Sequence, residues 1–461
     1  MREDRSNLGC VAVLVSFALS LAVALTLTQG AVRADEPPVA PERAERAAAF
    51  FNLFVADRIE DMHSAGSDRL KASLSVAELR QVRTRLIEKY GAVSSFGEPE
   101  ARRMGDREYF DFHTRYGQAS VKMRILLDAA GKLDALQIID VAVPTSQPAD
   151  ADDDAGPPYL KRDAFRTLKV KLRSGDIELP ARLTLPRVEG RVPAVVLVHG
   201  SGPHDFDETI GPNKPFRDIA WGLSSAGIAV LRYEKRTLNH AATIDPLRMT
   251  LSHETIDDAV AAVTMLRQRE EIDPVRVFVM GHSLGGMAAP FIAREAPELA
   301  GIIVMAGNSR PILTLVAEQI AHIAGVDGKV TDAERSAIEA TRKAISEIRA
   351  AAPGAELPTV IGVAGKYWQM LETYDPVAAA RELSLPILML QGERDYQVTV
   401  EDFEGWKRGL GGRANVEFRL YSDLNHLMLT GEGKSNPAEY QKRGFVSRAV
   451  IEDVAAWIRR R

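Results

Sequence analysis

The stretch Val275–Gly286, V-R-V-F-V-M-G-H-S-L-G-G, constrains this chain more than any other. Val275, Val277, Phe278, Val279 and Met280 form a short apolar run, as a strand buried on both faces does. Gly281-His282-Ser283-Leu284-Gly285 follows, a G-x-S-x-G pattern, and Gly286-Met287-Ala288-Ala289 then opens a helical segment. A strand, a tight turn and a helix lift a Ser hydroxyl clear of a sheet and set it at the head of the helix. Gly281 and Gly285 leave out the β-carbons that would collide where strand and helix pack closely. The alternative is a Gly-rich turn holding an ordinary Ser; the strand before it and the helix after it speak against that.

A serine is a poor nucleophile at its free pKa, so Ser283 needs a base within reach and a third group to orient that base. Behind an elbow of this kind the order along the chain is Ser, then acid, then His. The buried-type strand Pro386–Leu390 runs into Gln391-Gly392-Glu393-Arg394-Asp395. Val416–Tyr421 runs into Ser422-Asp423-Leu424-Asn425-His426, ahead of a final helix. The expectation is Ser283 as nucleophile, Asp395 as orienting acid and His426 as general base and acid, with Glu393 and Asp423 as reserve acids. His282 adjoins the nucleophile, but neighbouring side chains on a turn diverge, which disfavours it as the base; it is kept as a candidate substrate contact.

A tetrahedral intermediate also needs two N–H donors aimed at its oxyanion. One is expected from Leu284, at the head of the helix. The other is expected from His199-Gly200-Ser201-Gly202-Pro203, the loop after the strand Ala194–Val198. There Ser201 is assigned the donor, with Gly202 as alternative, since glycines let backbone approach a substrate closely.

The rest of the chain sets the frame. Of 461 residues, 46% are hydrophobic and 26% charged, with a net charge of -5, so no basic excess points to nucleic acid. The only cysteine is Cys10, which leaves the folded part without disulfides, thiolate nucleophiles or Cys-based metal sites. Leu8–Leu27 carries no charge, and Val32-Arg33-Ala34 has small residues where a signal peptidase reads. Residues 1–34 therefore read as a leader that exports the chain to the periplasm or beyond and is cut after Ala34, leaving no stable membrane partner. An uncut anchor is the alternative, because the apolar run is long enough to span a bilayer.

Residues 42–143 turn from helical spacing (Ala47, Phe50, Phe51, Phe54, Ile59, Met62) to period two in three expected strands. This is a small α+β domain. Residues 144–163 are acidic and Pro-rich, the composition of a linker. From 164 to 461 strand and helix alternate, which calls for a mostly parallel sheet with helices on both faces. The helical stretch at about 308–378 is too long for a plain crossover and reads as a lid.

Leu197–Pro203 (L-V-H-G-S-G-P), Leu231–Thr237 (L-R-Y-E-K-R-T), Gly281–Gly286 (G-H-S-L-G-G), Gln391–Asp395 (Q-G-E-R-D) and Asn425-His426 together resemble exported α/β-hydrolase carboxylesterases. That group lies among prolyl oligopeptidase-like and dienelactone hydrolase-like enzymes. The preceding domain resembles the cystatin-like or nuclear-transport-factor-like domain found ahead of some exported hydrolases. The resemblance implies an α/β-hydrolase fold with a helical lid, preceded by the small α+β domain. It also implies hydrolysis of small-molecule carboxylic esters with short acyl chains through an acyl-enzyme, without metal or cofactor. Dienelactone hydrolases proper carry Cys at the elbow, where this chain has Ser283. Relatives often read D-K-R-G where this chain has Glu234-Lys235-Arg236-Thr237; Arg236 is a candidate for holding a substrate carboxylate, against a structural ion pair. A serine peptidase on short peptides and an acyltransferase would use the same triad. A binding protein with a vestigial hydrolase domain is the reading from a different class.

Overall fold

A computed structural model describes residues 39–461 apart from 105–106, 118, 143–155, 241–243, 245–247, 353 and 362. The expected leader and most of the expected linker lie outside the described residues. The chain divides into two compact units, whose described residues are mainly 39–142 and 156–240 with 248–461.

In the first unit, helices α1 (Pro41–Val55), α2 (Ile59–Ser64), α3 (Asp68–Ser73) and α4 (Val76–Tyr90) precede strands β1 (Val93–Phe96), β2 (Glu100–Met104), β3 (Arg107–Tyr116), β4 (Ala119–Leu127) and β5 (Leu133–Ala142). The strands pair antiparallel in the order β1-β3-β4-β5, with β2 also on β3. Phe51 of α1 stacks on Phe112 of β3 at 4.3 Å, inside a core shared with Val121, Met123 and Ile125. The period-two reading found β3, β4 and β5 but not β1 and β2. V-S-S-F and E-A-R-R-M are short and polar, so they carry no apolar alternation to read.

The second unit holds β6 (Phe165–Ser174), β7 (Ile177–Pro186), β8 (Val192–Val198), α5 (Pro215–Ser225), β9 (Ala229–Tyr233), α6 (Arg236–Asn239), α7 (Asp257–Arg267), β10 (Ile272–His282), α8 (Leu284–Glu295) and β11 (Gly301–Met305). It continues with α9 (Ile312–Ala324), α10 (Asp332–Ala350), α11 (Gly365–Leu371), α12 (Pro376–Arg381), β12 (Ile387–Gly392), α13 (Val400–Leu410), β13 (Val416–Tyr421) and α14 (Arg448–Arg459). The eight strands stand in the order β13-β12-β11-β10-β8-β9-β7-β6. Strands β8 to β13 run parallel, and the leading hairpin β6–β7 joins antiparallel to β9.

Strand β10 lies near the middle, with both faces buried from Val277 onward. Phe278 and Met280 point into a core with Phe216 and Ile219 of α5 and Val450, Val454 and Trp457 of α14. Alternation sends Val277 and Val279 to the opposite face, where α7 and α8 pack on β10. Tyr159 belongs to the first of these cores and its hydroxyl donates to the carbonyl of Val446 at 2.8 Å. The linker therefore ends before residue 159, short of the expected 163: an apolar ring with a bonded hydroxyl is worth more buried than solvated.

Candidate active site

The turn between β10 and α8 is what the glycine spacing calls for. Ser283 holds φ +53° and ψ −117°, a left-handed backbone that costs a non-glycine residue roughly 1 kcal/mol or more. Its N–H donates to the carbonyl of Met305 at 2.9 Å, and the pairing of His282 with Met305 fixes the strand end beside it. A β-carbon on Gly281 would stand 2.0 Å from the carbonyl oxygen of Gly285, and one on Gly285 would stand 2.3 Å from that of Val198. Neither position tolerates a side chain. Ser283 stays half-exposed while its neighbours are buried. As the first residue of α8, Leu284 has an N–H with no partner inside the helix, and it finds no other acceptor among the described residues.

Asp395 and His426 meet across the ends of β12 and β13. The ring Nδ1 of His426 donates to Asp395 Oδ2 at 2.7 Å, with both side chains nearly inaccessible. The other carboxylate oxygen accepts the backbone N–H groups of Gln397 (2.8 Å) and Val398 (3.0 Å), and Gln391 Nε2 donates to Oδ2 at 3.2 Å. The acid is thus fixed on all sides, and Nε2 of His426 is left for another partner. Glu393 and Asp423, the reserve acids, are both exposed. The Ser283 hydroxyl makes no hydrogen bond with His426 among the described contacts; such bonds are often long before substrate arrives.

His282 ties the two loops together. Its Nδ1 lies 2.8 Å from Glu208 Oε2 and its Nε2 lies 3.0 Å from the backbone carbonyl oxygen of His426. The carbonyl oxygen can only accept, so Nε2 carries a proton, and with Glu208 ionised Nδ1 donates as well, which makes the protonated ring the favoured form. Burial alone would depress its pKa; the Glu208 carboxylate and the His426 carbonyl outweigh burial and raise it above 6.5. Burial likewise works against the Glu208 carboxylate, but His282 pulls its pKa down to about 2. His282 is therefore no substrate contact: its polar atoms are spent on buried partners. The expectation for it is corrected.

The loop after β8 lies against the nucleophile, since a β-carbon on Gly200 would come within 3.1 Å of Ser283 Cβ. The Gly200 N–H is taken by Glu208 Oε1 at 2.7 Å. The N–H groups of Ser201 and Gly202 have no acceptor among the described residues. Leu284, Ser201 and Gly202 thus keep open the donors that an oxyanion would need.

Arg236 does not face this loop. It grips Asp258 with Nε 2.9 Å from Oδ2 and with a second contact through Nη2, and Asp258 is completely buried. The structural ion pair is what forms, which corrects the expectation of a substrate carboxylate there. The neighbouring Lys235 is the residue that turns inward. Its ammonium donates to the Gly200 carbonyl at 2.7 Å and pairs with Glu254 at 2.5 Å, with both side chains buried. Glu208 and Lys235 were not read from the sequence. Glu208 sits in an aperiodic polar loop, whereas a lysine placed directly after the buried strand β9 was a signal available and unused.

The insertion between β11 and β12 packs on the loops that carry the acid and the histidine. From α9, Gln319 donates to the carbonyl of Gln397 at 2.9 Å, His322 stacks on Tyr396 at 4.7 Å, and Ile323 joins a cluster with Leu427 and Leu429. Just before α9, Arg310 binds Asp402, Glu318 and Glu401, each at 2.8 Å.

The family model described as "Serine aminopeptidase, S33" matches residues 192–433. Esterase EstD of Thermotoga maritima is 35% identical over 412 residues, covering 89% of this chain and 93% of the relative. The acylamino-acid-releasing enzyme of Sus scrofa is 26% identical over 53% of this chain, which spans 30% of that enzyme. The solved structure of Est1E from Butyrivibrio proteoclasticus covers 63% of this chain and 98% of its own, at 16% identity and a TM-score of 0.41. With more than half its length matched and an elbow, acid and histidine after the parallel strands β10, β12 and β13, the chain belongs to the serine aminopeptidase S33 family of α/β-hydrolases.

Proposed function

We propose that the chain is a serine carboxylesterase acting on short-chain esters through an acyl-enzyme. The observation that carries this reading is the 35% identity to an esterase over 93% of that relative; the hydrogen bond between His426 and Asp395 and the turn that holds Ser283 support it. Ser283 Oγ attacks the ester carbonyl as His426 Nε2 takes its proton. The carbonyl oxygen, now an alkoxide, receives the N–H groups of Leu284 and of Ser201 or Gly202. His426 gives the proton to the departing alcohol, and water repeats the sequence on the acyl-enzyme. Asp395 keeps the imidazole in the tautomer this needs and stabilises its charged form. We propose further that export precedes activity, with the leader cut after Ala34; N-terminal sequencing of protein recovered from the periplasm tests this.

The second reading is a peptidase, and the family description together with the acylamino-acid-releasing relatives favours it. One comparison separates the two. Hydrolysis of p-nitrophenyl acetate, butyrate and palmitate is measured beside a short peptide nitroanilide, in the wild type and in Ser283→Ala. Ester turnover that falls with chain length and vanishes in Ser283→Ala upholds the esterase. Efficient nitroanilide cleavage with feeble ester turnover transfers the assignment to peptidase.

A further inference from the structure

Three successive carbonyls of the loop after β8 are each held by a side chain. Gly200 O accepts from Lys235 Nζ at 2.7 Å, Ser201 O from the His204 ring at 2.7 Å, and Gly202 O from the Thr237 hydroxyl at 3.3 Å. In a planar trans peptide the N–H points opposite to the preceding carbonyl, and the described residues contain no cis bond. Holding the Gly200 carbonyl toward Lys235 therefore turns the Ser201 N–H the other way, and holding the Ser201 carbonyl does the same for Gly202. These are the two N–H groups left without acceptors. The Gly200 N–H, on the other side of its own residue, is fastened to Glu208. The Gly200–Ser201 peptide cannot rotate without breaking a buried charge-assisted bond, and the Ser201–Gly202 peptide cannot rotate without losing the His204 ring.

Lys235 is itself fixed. Its backbone N–H donates to the His204 carbonyl at 2.9 Å, and its ammonium pairs with Glu254. Glu254 in turn accepts the hydroxyl of Tyr367, which lies on α11 within the insertion. Tyr367 is buried, and burial followed by the adjoining Glu254 carboxylate keeps its hydroxyl protonated far above the ordinary tyrosine range, so it stays a donor. A continuous line thus runs from the insertion through Tyr367, Glu254 and Lys235 to the Gly200–Ser201 peptide.

We propose that Lys235 is a positioning residue of the oxyanion hole: it orients the Ser201 N–H for the transition state, and Glu254 with Tyr367 makes that orientation depend on the seated insertion. This rests on the serine-hydrolase reading but not on the choice of ester as substrate. A donor that acts on the tetrahedral species alone affects kcat and not ground-state binding.

The test uses the full chain and three variants: Lys235→Met, the double variant Lys235→Met/Glu254→Gln, and Tyr367→Phe. The double variant leaves no uncompensated buried carboxylate, so it folds where the single one does not. Three quantities are read: kcat and KM for p-nitrophenyl butyrate, affinity for butylboronic acid, and the rate at which a fluorophosphonate phosphonylates Ser283 with loss of fluoride. Boronate and phosphonate adducts both place an oxygen in the hole and require no ester. Expected in the double variant is a fall in kcat of roughly 10²-fold with KM within about twofold, and a parallel loss in boronate affinity and labelling rate. Tyr367→Phe should fall in the same three readouts by a smaller factor, about tenfold or less. Unchanged labelling and boronate affinity in the folded double variant, or a rise in KM with kcat preserved, overturns the proposal. A wild type that labels and binds boronate but turns over no ester overturns the esterase reading instead and leaves the clamp standing.

Discussion

At the scale of single residues, the geometry separates groups that do chemistry from groups that hold them. Ser283→Ala is expected to lower kcat by at least about 10⁴-fold, and Asp395→Asn by about 10⁴-fold because His426 would lose its tautomer, with folding intact in both. Stopped assays on p-nitrophenyl butyrate beside circular dichroism check this. The Glu208–His282 pair makes a different prediction, one about stability and pH. Glu208 has its pKa lowered from 4.5 to about 2, so its contribution is present above pH 4.5 and lost as pH falls toward 2. His282 is raised above 6.5, so its contribution is whole below pH 6.5 and lost as pH climbs through the raised value. Glu208→Gln should therefore destabilise most between about pH 4.5 and 6.5, by roughly 3 kcal/mol, with the deficit shrinking at alkaline pH. Urea unfolding of variant and wild type across pH 4.5 to about 9 reads the difference directly. Ser283, Asp395 and His426 were legible in the sequence because each follows an apolar strand and interrupts it. Glu208 was not, because what matters about it is burial against a distant segment and its surroundings in the chain carry no period, while Lys235 was marked only by its place just past the buried strand β9.

At the scale of elements, the same logic explains which parts could be read. Strands β8 and β11, and the stretches Val277–Met280 of β10 and Ile387–Leu390 of β12, are continuous apolar runs, and their expected limits stand within a few residues of the observed ones. The two long helices of the insertion were legible from stretches rich in Ala, Ile and Glu, whereas the short α12 was not read. Helix α13 was overlooked: V-E-D-F-E-G-W-K-R-G-L contains two glycines and only a narrow apolar stripe of Phe403, Trp406 and Leu410. The junction of β10 and α8 allows no volume at Gly285. Gly285→Ala is expected to yield either insoluble protein or a folded chain that a fluorophosphonate no longer labels, since its methyl must displace the backbone of β8. Labelled, fully active Gly285→Ala protein would refute the reading of the elbow. The insertion makes a further prediction. Asp402 is fully buried and accepts from Arg310 and from the backbone N–H groups of Ser309 and Arg310. Asp402→Ala should therefore cost about 2 kcal/mol, seen as a lower midpoint in urea, because it leaves the Ser309 and Arg310 N–H groups without their acceptor while Arg310 keeps Glu318 and Glu401.

At the scale of the whole molecule, each unit has its own core, and the boundary between them is set by Tyr159 rather than by the first strand of the sheet. A chain starting at residue 156 should fold and keep esterase activity. One starting at residue 165 loses Tyr159 and its bond to Val446, and should unfold at a urea midpoint lower by the equivalent of about 3 kcal/mol. The contact has a second side. Arg448 reaches back to the Pro158 carbonyl at 2.9 Å, so the beginning of the hydrolase unit touches the root of its last helix. That helix has 12 residues and is about 18 Å long, which sets the span between the unit's two ends. A Gly/Ser bridge of roughly ten residues covers this distance. The linear order of the chain is then a matter of history more than of folding: joined there and reopened in the exposed turn at Gly190, a circularly permuted enzyme should assemble the same sheet around the same nucleophile.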